Sequence, residues 1–548
     1  MVRLCALWLC IVSAFSLLFC GRTKVDFTVD TETLSGVVGN KPSNVNVWDM
    51  GTQFYDASPD TEDNIFEFVE YVQLMQCSGG TYDRDLFRDP TDRTVLDDYD
   101  FTRLVRNCEG ILRLGAKPLL KLGGVPMKYS AEPLLGGFGM NVRPPADYDV
   151  YYRYIRALVQ ALVDRFGAEE VRTWRFGVMT EYENDDWFYA GDRDPDASAV
   201  SYCKMYDYTV QALLDVLGDD IFVGAHAMAV TEGLWDEARF IRHVAVEKNY
   251  ANGQTGTHID YLSASFYDVA PGKFTSGKTL AKTIGDLRDT AERYGLTGLQ
   301  YGVDEGRILT ASAGADKNEL LSRTVGYTWQ AAYDARMWTT AIRSGIDWFS
   351  SWGYKSGGLY GYPTVSYHVA NCVQSMAGSR LARTTTTTAP LRTLFGIEAD
   401  GTAAFDENAQ TLRVLLYNFR NKLSYNKRAD FKVQMHTPQF AGKTVTVTSY
   451  RIDDDCNYFD EWVQDRKRYG ITDDMFSWSP DDPTLDGGNL TDPQAQALYR
   501  ETLRDKYVEC ARLAPTTATH TVDADGNWTM RETLAPSGVL FLEIGTRS

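Results

Sequence analysis

The chain has 548 residues, which is more than one hydrophobic core usually organises, so a large domain and a second one are expected. Hydrophobic residues make up 44% and charged residues 24%, which is typical of a globular protein and excludes a largely disordered chain. The net charge of -19 argues against a basic binding surface, so nucleic acid is not a predicted partner.

Residues 1–21 have the pattern of a secretory signal peptide. Arg3 is followed by an apolar run from Leu4 to Phe19, and the sequence then turns polar. The run is short for a membrane span, so we expect a secreted or exported protein with no transmembrane span in the mature chain. Cys20 offers a lipid anchor as the alternative, but Phe19 does not suit a lipoprotein cleavage site, which needs a small residue.

Residues 22–44 contain a strand around Val25–Val29 that has no obvious place in the pattern that follows. From 45 to 383, short apolar runs alternate with amphipathic helices, as expected for parallel strands buried on both faces. Eight such units predict a (β/α)₈ barrel, with a doubly wound sheet as the alternative, although no GxGxxG follows the first strand. The predicted strands are Val45–Gly51, Tyr71–Cys77, Pro118–Gly124, Thr173–Glu181, Ile221–Val230, Tyr261–Asp268, Gly298–Glu305 and Gly345–Tyr354.

Residues 384–548 change to short alternating strands, which predict a C-terminal β-sandwich. The run Thr384–Thr388 looks like a connector to this domain. A polar, partly helical insertion is expected at about 453–514, and Cys456 with Cys510 is a candidate disulfide pair within it. We expect the sandwich to pack on the barrel, and the strand around Val25–Val29 to pair into it.

Two glutamates end predicted strands. Glu181 closes the fourth strand and Glu305 closes the seventh. Catalytic groups of such barrels lie where the strands end, and two carboxylates there are fit for glycoside hydrolysis, one as acid and one as nucleophile. The alternative is that each carboxylate caps a neighbouring helix. Glu183 competes with Glu181 for the role of the acid, because strand alternation places both on one side if the strand continues.

Further candidates lie near the same strand ends, and each has a structural alternative. Tyr267 and Arg307 could donate to Glu305, and Trp352 could form a sugar platform. Lys121 and His226 could bind substrate, or could pair with an acid and pack. The six histidines form no HExxH motif, and the chemistry proposed needs no cofactor, so neither a metal nor a cofactor is predicted.

These motifs resemble those of glycoside hydrolase clan A, and within it family 39, which holds β-xylosidases and α-L-iduronidases. The resemblance implies a barrel followed by a β-sandwich, with Glu181 as acid/base and Glu305 as nucleophile. It also implies a retaining, exo-acting hydrolase of a xyloside- or uronide-type sugar, with an oligosaccharide or glycoside as the partner. The matching stretches are Trp174-Arg-Phe-Gly-Val-Met-Thr-Glu181 with Asn184 and Trp187-Phe188, Val303-Asp-Glu-Gly306, Trp348-Phe-Ser-Ser-Trp352 and Tyr450-Arg-Ile-Asp453.

Two positions depart from the family pattern. Thr180 stands where the family has an Asn that hydrogen-bonds the sugar 2-hydroxyl, and Ser265-Phe266-Tyr267 stands where a His often precedes the Tyr. These departures leave open a catalytically inactive carbohydrate-binding barrel. A clan A glycosidase of another family is a third alternative.

Overall fold

The computed structural model describes residues 22–47, 50–51, 54–55, 69–229, 232–269, 271, 278–309, 320–321, 324–351, 364–389, 396–475 and 492–546. The predicted signal peptide and the candidate Trp352 lie outside these residues. No helix among the described residues is long and apolar enough to cross a membrane.

Eight parallel strands close into a barrel, so the predicted (β/α)₈ fold is confirmed. The first strand of the chain, β1 (Thr23–Val37), lies outside this barrel. The barrel strands are β2 (Asn44–Val47), β3 (Tyr71–Leu74), β4 (Lys117–Leu122), β5 (Arg175–Val178), β6 (Val223–Ala227), β7 (Tyr261–Val269), β8 (Gln300–Leu309) and, after the short hairpin β9 (Leu320–Leu321) and β10 (Thr324–Val325), β11 (Trp348–Ser351).

Helices surround the barrel, and their apolar stripes explain why they form. In the second helix, Asp147 caps the first turn by accepting from the backbone N–H groups of Asp149 and Val150, and Gly167 follows the last turn at φ 86°. The described barrel helices are α1 (Thr102–Arg113), α2 (Tyr148–Phe166), α3 (Ala168–Arg172), α4 (Pro195–Leu217), α5 (Ala238–Val246), α6 (Leu280–Arg293), α7 (Trp329–Arg343) and α8 (Val365–Gln374).

The rest of the chain forms a nine-stranded sheet in the order β17-β16-β19-β14-β13-β12-β1-β15-β18. Strand β1 pairs antiparallel with β12 and parallel with β15, so the N-terminal strand lies inside the C-terminal sheet. The remaining strands are β12 (Arg380–Thr388), β13 (Ile397–Asp406), β14 (Thr411–Arg420), β15 (Ala429–His436), β16 (Thr444–Ile452), β17 (Thr516–Thr521), β18 (Asn527–Leu534) and β19 (Val539–Thr546).

This sheet curves around its own core. Val445 and Val447 of β16 share one apolar cluster with Met530 of β18, although these strands lie near opposite ends of the strand order. A flat sheet could not bring them together, so the sheet folds over its inward side chains in the manner of a sandwich. The predicted fold class is therefore confirmed, with one continuous sheet in place of two separate ones.

The run Thr384–Thr388 was wrongly interpreted as a connector. It forms the end of β12 and pairs residue by residue with β1, from Val29 opposite Thr384 to Val25 opposite Thr388. Threonine is β-branched and favours strands, and here that preference outweighs the appearance of a low-complexity linker.

The insertion has a small core of its own. Its helices are α9 (Phe459–Tyr469), α10 (Pro493–Leu498) and α11 (Arg504–Cys510), and a short π-helical turn joins the last two. Trp462, Tyr499 and Tyr507 are buried between them. The candidate pair Cys456 and Cys510 is not bonded: both are free thiols, and Cys456 is buried in a short 3₁₀ turn with its Sγ near the carbonyl oxygens of Arg451 and Asp453.

The sheet and the barrel share an interface. Leu415, Tyr417 and Phe541 of the sheet belong to the same apolar cluster as the barrel helices. At the edge of this contact, the Arg343 guanidinium on α7 pairs with Asp400 on β13 at 2.7 Å. The second domain is therefore packed on the barrel, as expected from the sequence.

Candidate active site

Glu181 lies in a strained turn at the C-terminal end of the barrel. Strand β5 ends at Val178, and both Met179 (φ 64°) and Glu181 (φ 44°) have left-handed backbone conformations, which are uncommon for residues other than glycine. The turn is held because the Met179 N–H donates to the Leu122 carbonyl (2.6 Å) and the Tyr182 N–H donates to the His226 carbonyl (3.1 Å). Such strain persists where surrounding contacts fix it, and it concentrates at functional sites.

Glu305 lies within β8, which continues to Leu309 instead of ending at the glutamate. A register shift between Ala264 and Ser265 on β7 faces it. The Tyr267 hydroxyl donates to Glu305 Oε1 at 2.6 Å, which is the contact that the sequence predicted for Tyr267.

The two glutamates face each other. One oxygen of Glu181, one oxygen of Glu305 and one ring nitrogen of His226 all lie within 4.8 Å of one another. Retaining glycosidases hold their carboxyl groups about 5–5.5 Å apart and inverting ones about 6.5–9.5 Å apart. The two oxygens of this chain are therefore closer to each other than the carboxyl groups of inverting enzymes are.

Two side chains hold the Glu181 carboxyl. The Ser265 hydroxyl donates to Oε1 at 2.5 Å, and the Asn184 amide donates to Oε2 at 2.7 Å. Sequence reasoning did not assign either residue to the site. The signals existed: Ser265 lies two residues before Tyr267 and so shares its face of the strand, and Asn184 follows Glu181 by one turn.

Glu183 does not share this position. Because β5 ends at Val178, strand alternation no longer applies, and Glu183 is buried with Oε1 accepting the backbone N–H of Met228 at 2.7 Å. Burial raises the pKa of Glu183 well above its usual range. The condition under which the sequence placed Glu183 beside Glu181, a strand that continues past Glu181, is therefore not met.

Lys121 lies inside the barrel, paired with Asp304. Both side chains are fully buried, and the indole N–H of Trp348 donates to the other Asp304 oxygen at 2.8 Å. Burial alone would raise the pKa of Asp304, but the charge of the Lys121 ammonium and its hydrogen bond hold that pKa below its usual value. Gly177 makes room for this pair, since a Cβ at that position would lie 2.8 Å from the Lys121 side chain.

Arg307 is also buried and paired. Its Nε lies 3.2 Å from Asp334 Oδ1, and its Nη2 donates to the Ser366 hydroxyl at 3.1 Å. The guanidinium is thus held by groups on α7 and α8. Its predicted contact with substrate stays a prediction, as does that of Lys121.

His226 lies beside the glutamates. Burial, together with the Lys121 ammonium, lowers the pKa of His226 well below its usual value, so the ring is neutral. Its Nε2 lies 3.0 Å from the Ser265 hydroxyl. Because that nitrogen and one oxygen of each glutamate already have hydroxyl partners, we interpret the cluster as a hydrogen-bond network and not as a metal site.

Thr180 and Phe266 occupy different environments. The Thr180 hydroxyl is buried next to Glu181 and has no hydrogen-bond partner among the described residues, so a sugar hydroxyl there would satisfy it. Phe266 faces the apolar core, because Ser265 and Tyr267 take the inward positions of the strand. Of the two residues that precede Tyr267, Ser265 is therefore the one whose side chain points into the barrel.

Comparison with known proteins agrees with this geometry. Residues 74–292 match the model of Glycosyl hydrolases family 39. The resemblance to family 39 is confirmed. The matched stretch contains the Glu181 turn and ends before Glu305.

Two curated β-xylosidases are similar to part of the chain. That of Geobacillus stearothermophilus is 32% identical over 119 residues, which is 22% of this chain and 22% of the relative. That of Caldicellulosiruptor saccharolyticus is 31% identical over 170 residues, or 31% of this chain and 33% of the relative. The matches therefore span a third or less of these relatives' own lengths.

Solved structures share the fold over most of the chain. A family 39 enzyme from Xanthomonas axonopodis pv. citri has a TM-score of 0.63 at 16% identity, covering 95% of this chain and 97% of that one. A bacterial orthologue of human α-L-iduronidase has a TM-score of 0.65 at 14% identity, covering 96% and 84%. A monomeric β-xylosidase from Caulobacter crescentus CB15 has a TM-score of 0.63 at 15% identity, covering 95% and 100%.

Proposed function

We propose that this protein is a retaining, exo-acting glycoside hydrolase that works by double displacement. The observation that carries the proposal is the separation of the two carboxyl groups, with oxygens of Glu181 and Glu305 within 4.8 Å at the C-terminal end of the barrel. Glu305 attacks the anomeric carbon while Glu181 protonates the leaving oxygen, and Glu181 then activates the water that releases the sugar.

We further propose a neutral pentoside of the xyloside type as the substrate. Recognition of a uronide requires a cation for the sugar carboxylate. The two cationic candidates from the sequence, Lys121 and Arg307, are engaged by Asp304 and Asp334. The named activity of the two β-xylosidase relatives supports the same choice. The proposal includes export, on the signal-peptide pattern of residues 1–21.

The first experiment is a panel of aryl glycosides assayed with the purified mature protein. We expect hydrolysis of the aryl β-xyloside and little or none of the aryl uronides. Proton NMR of the first product formed should give the anomer with the configuration of the substrate. Release of the opposite anomer would overturn the retaining mechanism, and a preference for uronides would overturn the choice of sugar.

The second experiment assigns the two glutamates. Glu305→Gln should abolish turnover of every substrate, because no nucleophile remains. Glu181→Ala should spare aryl glycosides with good leaving groups in the first step, because these need little proton donation. Glu183→Gln is the matched control, since this carboxyl lies in the same turn but faces Met228, and it should keep activity if the protein folds. Wild-type turnover by Glu305→Gln would refute the assignment.

A catalytically inactive carbohydrate-binding barrel is the second candidate. The observation that favours it is Thr180 in place of the Asn of the family pattern. Two measurements together separate the two functions. Calorimetric titration that shows binding of xylo-oligosaccharides, with no turnover of any member of the panel, would select the binding protein.

A further inference from the structure

Glu181, Ser265 and His226 form a line of hydrogen bonds that leads away from the catalytic carboxyl. The Ser265 hydroxyl lies 2.5 Å from Glu181 Oε1, and its other neighbour is His226 Nε2 at 3.0 Å. All three side chains are buried, with exposed fractions of 8%, 4% and 0% respectively. Buried hydrogen bonds of this kind polarise one another and hold their geometry.

The tautomer of His226 determines which atom donates and which accepts in each of these hydrogen bonds. The ring is neutral, so one nitrogen carries the proton and the other does not. Nδ1 is buried with no hydrogen-bond partner among the described residues. Burying an orphan N–H is rare and costly, so the proton belongs on Nε2, where Ser265 accepts it. A hydroxyl has a single proton, and Ser265 must then donate it to Glu181.

We propose that Ser265 and His226 are a positioning pair that keeps Glu181 Oε1 a permanent hydrogen-bond acceptor and so fixes the orientation of the proposed acid/base carboxyl. The proposal rests on the proposed function. Oε1 accepts from Ser265 whether the carboxyl is ionised or neutral, because both forms have an acceptor oxygen there. The Asn184 amide donates to the other oxygen, Oε2, so the carboxyl is held from both sides, and the strained turn fixes the backbone that carries it.

Several titratable groups surround Glu181, and they stay unchanged when Ser265 is replaced. Glu305 and Tyr267 face it from β8 and β7, His226 from β6, and Glu183 follows in its own turn. The Lys121–Asp304 pair lies deeper in the barrel, beside His226. A change in the pH profile that is seen only when Ser265 is replaced therefore arises from the loss of its hydroxyl.

The test compares pH profiles of Ser265→Ala, Ser265→Thr and Ser263→Ala. Removing a donor to the carboxylate favours its protonated form. The basic limb of kcat/KM in Ser265→Ala should therefore move upward by about one pH unit, with kcat lowered about tenfold and KM nearly unchanged. Ser265→Thr keeps the hydroxyl and should restore the wild-type limb. Ser263→Ala is the control, because Ser263 lies on the same strand but contacts the Ala225 carbonyl and Asp304, and not Glu181.

An unchanged basic limb in Ser265→Ala, in an enzyme that turns over substrate, would overturn the positioning role. Absence of turnover in the wild-type protein would instead count against the proposed function. A second measurement needs no activity: ¹⁵N spectra of histidine-labelled protein, assigned with His226→Gln among six histidines, report the tautomer. We expect the proton on Nε2, and a protonated Nδ1 would overturn the proposal.

Discussion

At the scale of single residues, the buried ion pair between Lys121 and Asp304 raises the question whether Lys121 stabilises the fold or binds the substrate. Both side chains are fully buried, and the two charges compensate each other inside the barrel. Removing one partner of such a pair leaves an uncompensated charge, which costs about 3–5 kcal/mol.

We therefore expect Lys121→Met to lower the melting temperature strongly. The double variant Lys121→Met/Asp304→Asn should recover part of the loss, because no buried charge remains. Differential scanning calorimetry of the three proteins measures this. A stable Lys121→Met variant with a raised KM would instead assign Lys121 to the substrate.

Asp85 gives a pH dependence at the same scale. Its two oxygens accept the backbone N–H groups of Gly80 and Met127, each at 2.7 Å, and burial raises its pKa to about 7 from 3.8. As the pH rises above 3.8, the unfolded chain ionises Asp85 while the folded protein keeps it protonated until about pH 7. The stability that this group contributes is therefore present at low pH and is lost across that window, by at most about 4 kcal/mol.

Asp85→Asn cannot ionise, so its melting temperature should fall less between pH 5 and pH 8 than that of the wild type. The comparison of the two slopes removes the contribution of the other acids. Parallel slopes for the two proteins would contradict the raised pKa.

At the scale of elements, the end of β4 determines where the Glu181 turn lies. Gly123 has φ 128°, and a Cβ there would lie 2.7 Å from the backbone nitrogen of Met179. Gly123→Ala should therefore displace the turn that carries Glu181. A shift of about 1 Å in a catalytic group can lower the rate about a hundredfold.

We expect kcat of Gly123→Ala to fall by about ten- to a hundredfold on the aryl β-xyloside. Gly115→Ala is the matched control, since Gly115 also has positive φ (82°) but a Cβ there would meet nothing within 4 Å. Both variants carry backbone strain, but only the Cβ of Gly123→Ala would contact the turn. Equal activity of the two variants would show that the turn tolerates the displacement.

At the scale of the whole molecule, the two ends of the chain hold the barrel and the sheet together. Strand β1 enters the sheet between β12 and β15, and the chain then continues into the barrel. Tyr417 and Phe541 of the sheet are buried against the barrel helices. Separating the domains would expose both apolar surfaces.

A fragment of residues 22–383 should therefore be insoluble, while residues 22–548 should stay in solution under the same conditions. Size-exclusion chromatography and circular dichroism of the two proteins measure this. A fragment that is soluble, folded and fully active would contradict the shared core.

The amino-acid sequence by itself determined the order of elements and the position of the two glutamates along it. Near-continuous apolar runs such as Ile221–Val230 predict buried parallel strands, because local pattern and burial agree there. The helix stops at Gly115 and Gly167 were predictable for the same reason, since a left-handed conformation favours glycine.

Only the tertiary structure decided how the site is assembled. Sequence alternation could not reveal that β5 ends at Val178, because the left-handed turn at Met179 and Glu181 depends on contacts with Leu122 and His226 from neighbouring strands. The pairing of Lys121 with Asp304 joins residues 183 positions apart. Such contacts arise from the closure of the barrel, which no local pattern encodes, and for the same reason Ser265 was recognised as a partner of Glu181 only in the folded chain.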